Sequence, residues 1–166
     1  MALRNIREMG DRVLEKTCRP ITEMTPKLVD LINDMLETMY EANGVGLAAP
    51  QVGILKRIVV IDVDPEEVNP YIMINPEILE VSEETQTGEE GCLSVPGKSG
   101  VVTRPMRVKA KALNINMEPY EIEGEGLLAR AICHELDHLD GVLYVSKVEG
   151  ELHEAGMPED FEEVDA

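Results

Sequence analysis

The sequence predicts an α+β fold: mostly antiparallel sheets packed around a central helix that carries H-E-x-x-H, with an amphipathic helix near the N-terminus. Three observations predict it. An apolar stripe of helical period occupies residues 28–39. Short β-branched runs, separated by turn residues, fill the middle of the chain. A second helical segment then carries His134-Glu135-Leu136-Asp137-His138. Parallel strands need crossover helices between them, and none lies between these runs.

The elements follow in order. Asp11 can cap a short helical turn that Pro20 closes off. Thr25 is placed as an N-cap and Pro26 as the first helical residue, where its missing N–H costs nothing. Leu28, Leu31, Ile32, Met35, Leu36 and Met39 then recur at three- and four-residue steps, so the first helix is expected over 25–42, its Met residues in the core. Asn43-Gly44 can leave it through a left-handed position. Arg57 to Val63 reads as a strand. Tyr71 to Ile74 reads as another, closed by Asn75-Pro76, with a third over 78–81. Residues 82–91 are Ser, Glu, Thr, Gln and Gly and read as a solvated loop. Strands interrupted near Pro105 occupy 101–112, and one more returns over 117–123. Gly124-Glu125-Gly126 precedes the second helix, expected from Leu127 to about Asp140. The expected organisation is one domain over 1–150 and an acidic, mobile tail over 151–166.

Composition narrows the function. Among 166 residues, 33 are acidic and 15 basic, for a net charge of -18. A basic nucleic-acid-binding face and electrostatic docking on anionic lipid are both disfavoured. No run has the length of a membrane span, and the first residues lack a signal-peptide pattern. Three cysteines, Cys18, Cys92 and Cys133, do not suggest a disulfide framework. A cytoplasmic monomer is the resulting expectation.

The H-E-x-x-H segment carries the chemistry. Residues four apart on a helix lie on one face, so His134 and His138 can share one cation. Glu135 lies about 100° round the helix and can act on water beside that cation. Leu127, Ala131 and Ile132 set the histidines on a buried side. A tetrahedral catalytic site needs a third protein ligand. Tyr144 stands where a metzincin would have histidine. Glu149, Glu151 and Glu154 lie in a glycine-punctuated stretch. Cys133 points away from His134, and Cys18 lacks polar company. Cys92, in the turn Glu89-Glu90-Gly91-Cys92-Leu93-Ser94, is the best-placed donor. Its competing reading is a small buried hydrophobe.

Three segments together resemble the peptide deformylases: Gly44-Val45-Gly46-Leu47-Ala48-Ala49-Pro50-Gln51, Glu90-Gly91-Cys92-Leu93-Ser94 and His134-Glu135-Leu136-Asp137-His138-Leu139. The resemblance spans about residues 3–148. It implies that Cys92, His134 and His138 hold one divalent metal, Fe2+ in the cell, with Zn2+, Ni2+ or Co2+ able to replace it. It implies that Glu135 is the general acid/base, and that Gln51 and the backbone N–H of Leu93 hold the oxyanion. Val45, Gly46, Gly91, Leu127 and Ala131 would line the substrate cleft, where Gly46 pairs with a peptide as an added strand. The implied reaction removes the formyl group from formyl-methionine of nascent chains and releases formate. The implied setting is transient proximity to the ribosome, without direct nucleic-acid binding. A metallopeptidase cutting internal bonds and a non-catalytic peptide-binding relative are the alternatives.

Five positions depart from that pattern or lie outside it. Cys133 stands where many members have glutamine, and Lys98 stands where some have arginine. Arg130 is expected to point to solvent with its stem packed. Asp137 is expected to face water, and His153 to be a solvated tail residue.

Overall fold

The computed structural model describes residues 2–64 and 66–155. Helix α1, Pro26–Glu41, starts where Thr25 Oγ1 accepts the Leu28 N–H at 3.2 Å. It ends through Asn43 at φ 58°, with the Gly44 N–H returning to the Met39 carbonyl at 2.9 Å. A short edge strand β1, Gly46–Ala48, leads through a 3-10 turn over residues 49–52 to β2, Ile58–Ile61. Strands β3 (Tyr71–Val81), β4 (Thr85–Cys92), β5 (Val95–Pro105), β6 (Arg107–Leu113) and β7 (Pro119–Glu125) follow, then helix α2, Leu127–Leu139, and strand β8, Glu149–Glu154. All strand pairs are antiparallel.

A five-stranded sheet runs in the order β1-β2-β3-β6-β7, and a three-stranded sheet in the order β4-β5-β8. The larger sheet has a helix on each face. Ile58, Val60 and Ile74 pack with Leu31, Ile32, Met35 and Met39 of α1. Val59, Ile61, Met73, Ala110 and Ile122 pack with Ala129, Ile132, Leu136 and Leu139 of α2. Strand β2 is buried on both faces, so it reads as an unbroken apolar run rather than an alternation. The α2 helix therefore lies between the two sheets' contributions, its sheet face fixed by burial and its opposite face turned toward β4.

Three expectations need correction. Asn75-Pro76 does not end a strand: β3 continues through a bulge between Ile74 and Glu77. Proline cannot donate to a ladder, and a bulge is where it fits. Asn75 sits at φ 51°, and its side chain pairs with both the N–H and the carbonyl of Ile21 at 2.8 Å. The expected loop at 82–91 is strand from Thr85 onward. Its inward positions hold Gln86, Gly88 and Glu90, so no apolar alternation marks it. The chain after Gly150 does not leave the domain at once. Strand β8 pairs with β5, Lys98 opposite Glu154 and Ser99 opposite His153. Leu152 packs beside Val95, Val102 and Tyr144. A Cβ at Gly100 would lie 2.7 Å from Val148, so glycine there admits this close approach. His153 stays partly solvated, its side chain 36% exposed, but it lies within β8 and is paired: its Nε2 meets Glu89 Oε1 at 2.6 Å. The expected tail over 156–166 lies outside the described residues.

Candidate metal centre and cleft

Helix α2 sets His134 and His138 one turn apart, both buried at 6% and 1% exposure. Cys92 ends β4, where the ladder shifts register and turns into β5. Its Sγ lies 3.3 Å from His138 Nε2. One donor atom from each of Cys92, His134 and His138 lies within 4.8 Å of the others. His134 Nδ1 meets Glu90 Oε2 at 2.6 Å, which leaves Nε2 as the donor on the Cys92 side. The sulfur also receives the Ser94 N–H at 3.4 Å and Gln51 Nε2 at 3.5 Å.

The three donors fit one divalent cation. A thiolate with two imidazoles is the set expected for a borderline ion such as Zn2+ or Fe2+. Glu135 Oε1 is buried with no hydrogen-bond partner among the described residues, beside these donors. An orphaned carboxylate oxygen there matches a site built to hold a water molecule. Burial pushes the Glu135 carboxyl up to about 7, with Glu90 adding to the rise and His134 opposing it. A dication held by the three donors favours the carboxylate instead. Burial also holds His138 neutral, down to about 3, helped by His134. Burial works against a charged His134, but hydrogen bonds to Cys92 and Glu90 outweigh it and shift the ring upward.

The sequence-predicted residues converge on one cleft of about 490 Å³, lined among others by Val45, Gly46, Gln51 and Gly91. Leu93, Leu127 and Ala131 complete its apolar wall. Gln51 is buried; its Oε1 accepts the Ala48 N–H at 2.9 Å, and its Nε2 donates to Ser94 Oγ at 3.0 Å. Gly46 has a strict reason to be glycine. A Cβ there would lie 2.5 Å from Glu135 Oε2.

Behind the donors lies a charge network that the sequence analysis did not anticipate. Glu90 accepts from Arg104 Nε at 3.1 Å and Nη2 at 2.6 Å, a two-pronged contact. Arg130 Nη1 adds a bond to Glu90 Oε1 at 2.7 Å. Arg104 Nη1 reaches Asp137 Oδ2 at 2.9 Å. Arg130 is therefore buried and paired rather than solvent-facing, and Asp137 is bound rather than free. Burial alone would raise the Glu90 carboxyl; the bonds from His134 and Arg104 outweigh it and hold it down to about 2. A signal for this network existed. Glu90 stands two residues before Cys92 and so shares its strand face, and Arg104 follows Val102 on an inward face.

Known proteins resemble the chain over most of its length. The polypeptide deformylase family profile matches residues 3–153. A peptide deformylase of Lachnoclostridium phytofermentans is 64% identical over 98% of this chain and 99% of its own. One of Agathobacter rectalis is 71% identical over 93% of this chain and 95% of its own. The crystal structure of peptide deformylase from Thermotoga maritima is 46% identical, covers 89% of this chain and 99% of its own, and superposes with a TM-score of 0.85. The motifs, the convergent donors and these similarities lead to one assignment: the chain belongs to the polypeptide deformylase family of hydrolases.

Proposed function

We propose that this family member hydrolyses the formamide of formyl-methionyl peptide N-termini, using one divalent metal held by Cys92, His134 and His138. The observation that carries the reading is the convergence of the three donors within 4.8 Å beside the orphaned Glu135 carboxylate oxygen. When bound, the metal supplies Lewis acidity and lowers the pKa of water. Fe2+ is the proposed cellular metal, with Zn2+, Ni2+ or Co2+ as substitutes.

The chain's own residues do the rest. Strand β1 is an edge strand, paired only to β2 among the described residues. Its open edge at Gly46 can take an extended peptide as an added strand, opposite Gly91. Gln51 Nε2 and the Leu93 N–H are the donors for the negative charge that develops on the formyl oxygen. Glu135 takes the proton from water as the C–O bond forms. It then returns a proton to the amine nitrogen as the C–N bond breaks. Formate and a free amino terminus result.

The proposed substrates are nascent chains met near the ribosome in the cytoplasm by a monomeric enzyme. Among the described residues no helix is long and apolar enough to cross a membrane. The net charge of -18 opposes contact with a phosphate backbone.

Formate release from formyl-Met-Ala-Ser tests this reading. Chelation should abolish it, and anaerobic Fe2+ should restore it. Turnover of the acetylated peptide, or cleavage of an internal bond, would favour the peptidase alternative. Glu135→Gln should keep the metal and lose most of the turnover.

A further inference from the structure

The cleft beside the metal donors is not uniformly apolar. Leu127, Ala131 and His134 follow at helical steps along α2 and line it, with Val45 opposite. Arg130 lines the same cleft and is only 7% exposed. Its Nη1 donates to Glu90 and its Nη2 reaches the Gln86 carbonyl at 3.5 Å. A Cβ at Gly88 would lie 3.7 Å from Nη2, so the guanidinium rests against β4 where that strand has no side chain. A guanidinium has five N–H donors. Among the hydrogen bonds of the described residues Arg130 uses two, and its Nε makes none.

A formyl carbon placed among Cys92, His134, His138 and Glu135, with the peptide running between Gly46 and Gly91, sends the first side chain back along α2. That is where Leu127, Arg130 and Ala131 stand. Thioether and alkyl groups are satisfied by Leu127 and Ala131 and ask nothing of a donor. A sulfoxide differs from the thioether by one oxygen, a strong hydrogen-bond acceptor. In an apolar pocket that oxygen would lose its water and gain nothing. Beside Arg130 it gains a charge-assisted bond. The small Ala131 side chain leaves room for the extra atom.

We propose that Arg130 gives the first-residue pocket a donor for polar side chains, so that N-formyl-methionine sulfoxide termini are deformylated alongside N-formyl-methionine. The inference rests on the deformylase reading above. The chemistry is the same hydrolysis: water adds to the formyl carbon, the C–N bond breaks, formate leaves, and the sulfoxide is untouched. No oxidant or reductant is involved.

The test compares kcat/KM for three formyl peptides that differ only in the first residue: methionine, methionine sulfoxide and norleucine. Each is expressed relative to norleucine in the same preparation, so differences in folded or metal-loaded fraction cancel. In the wild type the sulfoxide value should lie within about thirtyfold of the methionine value. Arg130→Leu should lower the sulfoxide ratio by about ten- to a hundredfold and leave the methionine ratio within about threefold. Arg130→Lys, which keeps a charge beside Glu90 but lacks the fork, should fall between. A wild-type sulfoxide penalty above about thirtyfold, or a sulfoxide ratio unmoved in the variants, overturns the proposal. Should the leucine variant fail to fold, the lysine variant carries the same comparison, and a ratio within about threefold of wild type overturns it. Absence of formate from all three peptides overturns the deformylase reading itself, and this inference with it.

Discussion

Two assemblies of charged side chains occupy this protein, and they differ in everything but composition. Behind the cluster of Cys92, His134 and His138, Glu90 is gripped by Arg104, Arg130 and His134, with side-chain exposures between 4% and 9%. On the five-stranded sheet, at the exposed positions of β6, Arg107, Lys109 and Lys111 pair across the strands with Glu125, Glu121 and Glu77, all at least a third exposed. The first assembly has no water to replace a lost partner. The second is surrounded by it. Desolvation therefore makes each buried bond obligatory, while the exposed pairs exchange freely with solvent and salt. The buried set also has a task that geometry alone can perform. It fixes which nitrogen of His134 faces Cys92.

The largest effect should come from the centre of the buried set. Glu90→Ala leaves two guanidinium groups and a histidine without their shared partner. Removing one member of a buried pair typically costs about 3–5 kcal/mol. Urea denaturation should show a loss of that order, and elemental analysis should show weakened metal retention. A loss below about 1 kcal/mol, the range of exposed pairs, would erase the distinction between the two assemblies.

A second effect follows from pH. The Glu90 carboxyl is held down to about 2 against an ordinary value of 4.5. A depressed carboxylate contributes stability that is fully present above its unfolded pKa and is lost as pH falls through the folded one. The stability gap between wild type and Glu90→Gln should therefore be widest near pH 6 and shrink steadily from about pH 4.5 downward. Urea midpoints measured for both proteins from pH 6 to pH 3 provide the check. A gap that stays constant across this range would mean that the network does not act through charge.

Strand β8 lies between the two extremes. Leu152 is half-buried against Val95, Val102 and Tyr144. Leu152→Ala should cost about 1–2 kcal/mol, less than a fully buried leucine because part of the side chain already meets water. Hydrogen exchange on β8 and on the paired positions of β5 should rise in the variant. If stability is unchanged, the strand adds no packing energy.

The same contrast explains what the sequence disclosed. Both helices were legible because their apolar stripes repeat at 3.6 residues and their ends carry Thr25, Pro26 and Gly126 where expected. Strand β2 was legible because it is buried on both faces. The pairing of His134 and His138 on one helix face was legible because H-E-x-x-H fixes two side chains four residues apart. Strand β4 was not, since its inward residues are the polar members of the network and the glycine beneath Arg130. Arg104 and Arg130 were not, because a buried guanidinium has the same letter as an exposed one. Only the partner, distant in sequence, reveals it. Strand β8 was hidden by its acidic composition, with Leu152 alone marking the inward face.

The smallest effect is expected at the exposed pairs of β6, and its sign is informative. Lys111 Nζ lies 3.3 Å from Glu77 Oε1, with side chains 54% and 64% exposed. Water screens that pair, so its coupling in a double-mutant cycle should be about 0.2–0.5 kcal/mol and fade at about 0.5 M salt. The chain carries 33 acidic and 15 basic residues, so each added negative charge meets repulsion from most others. Glu77→Gln loses the pair but relieves that repulsion, and Lys111→Gln loses the pair and adds to it. At low salt the glutamate substitution should thus be neutral or slightly stabilising, and the lysine substitution destabilising by up to about 0.5 kcal/mol. The two should converge as salt rises. Equal losses at every ionic strength would show that the pair acts through fixed local geometry, as Glu90 does, and would place the outer ladder in the same class as the buried network.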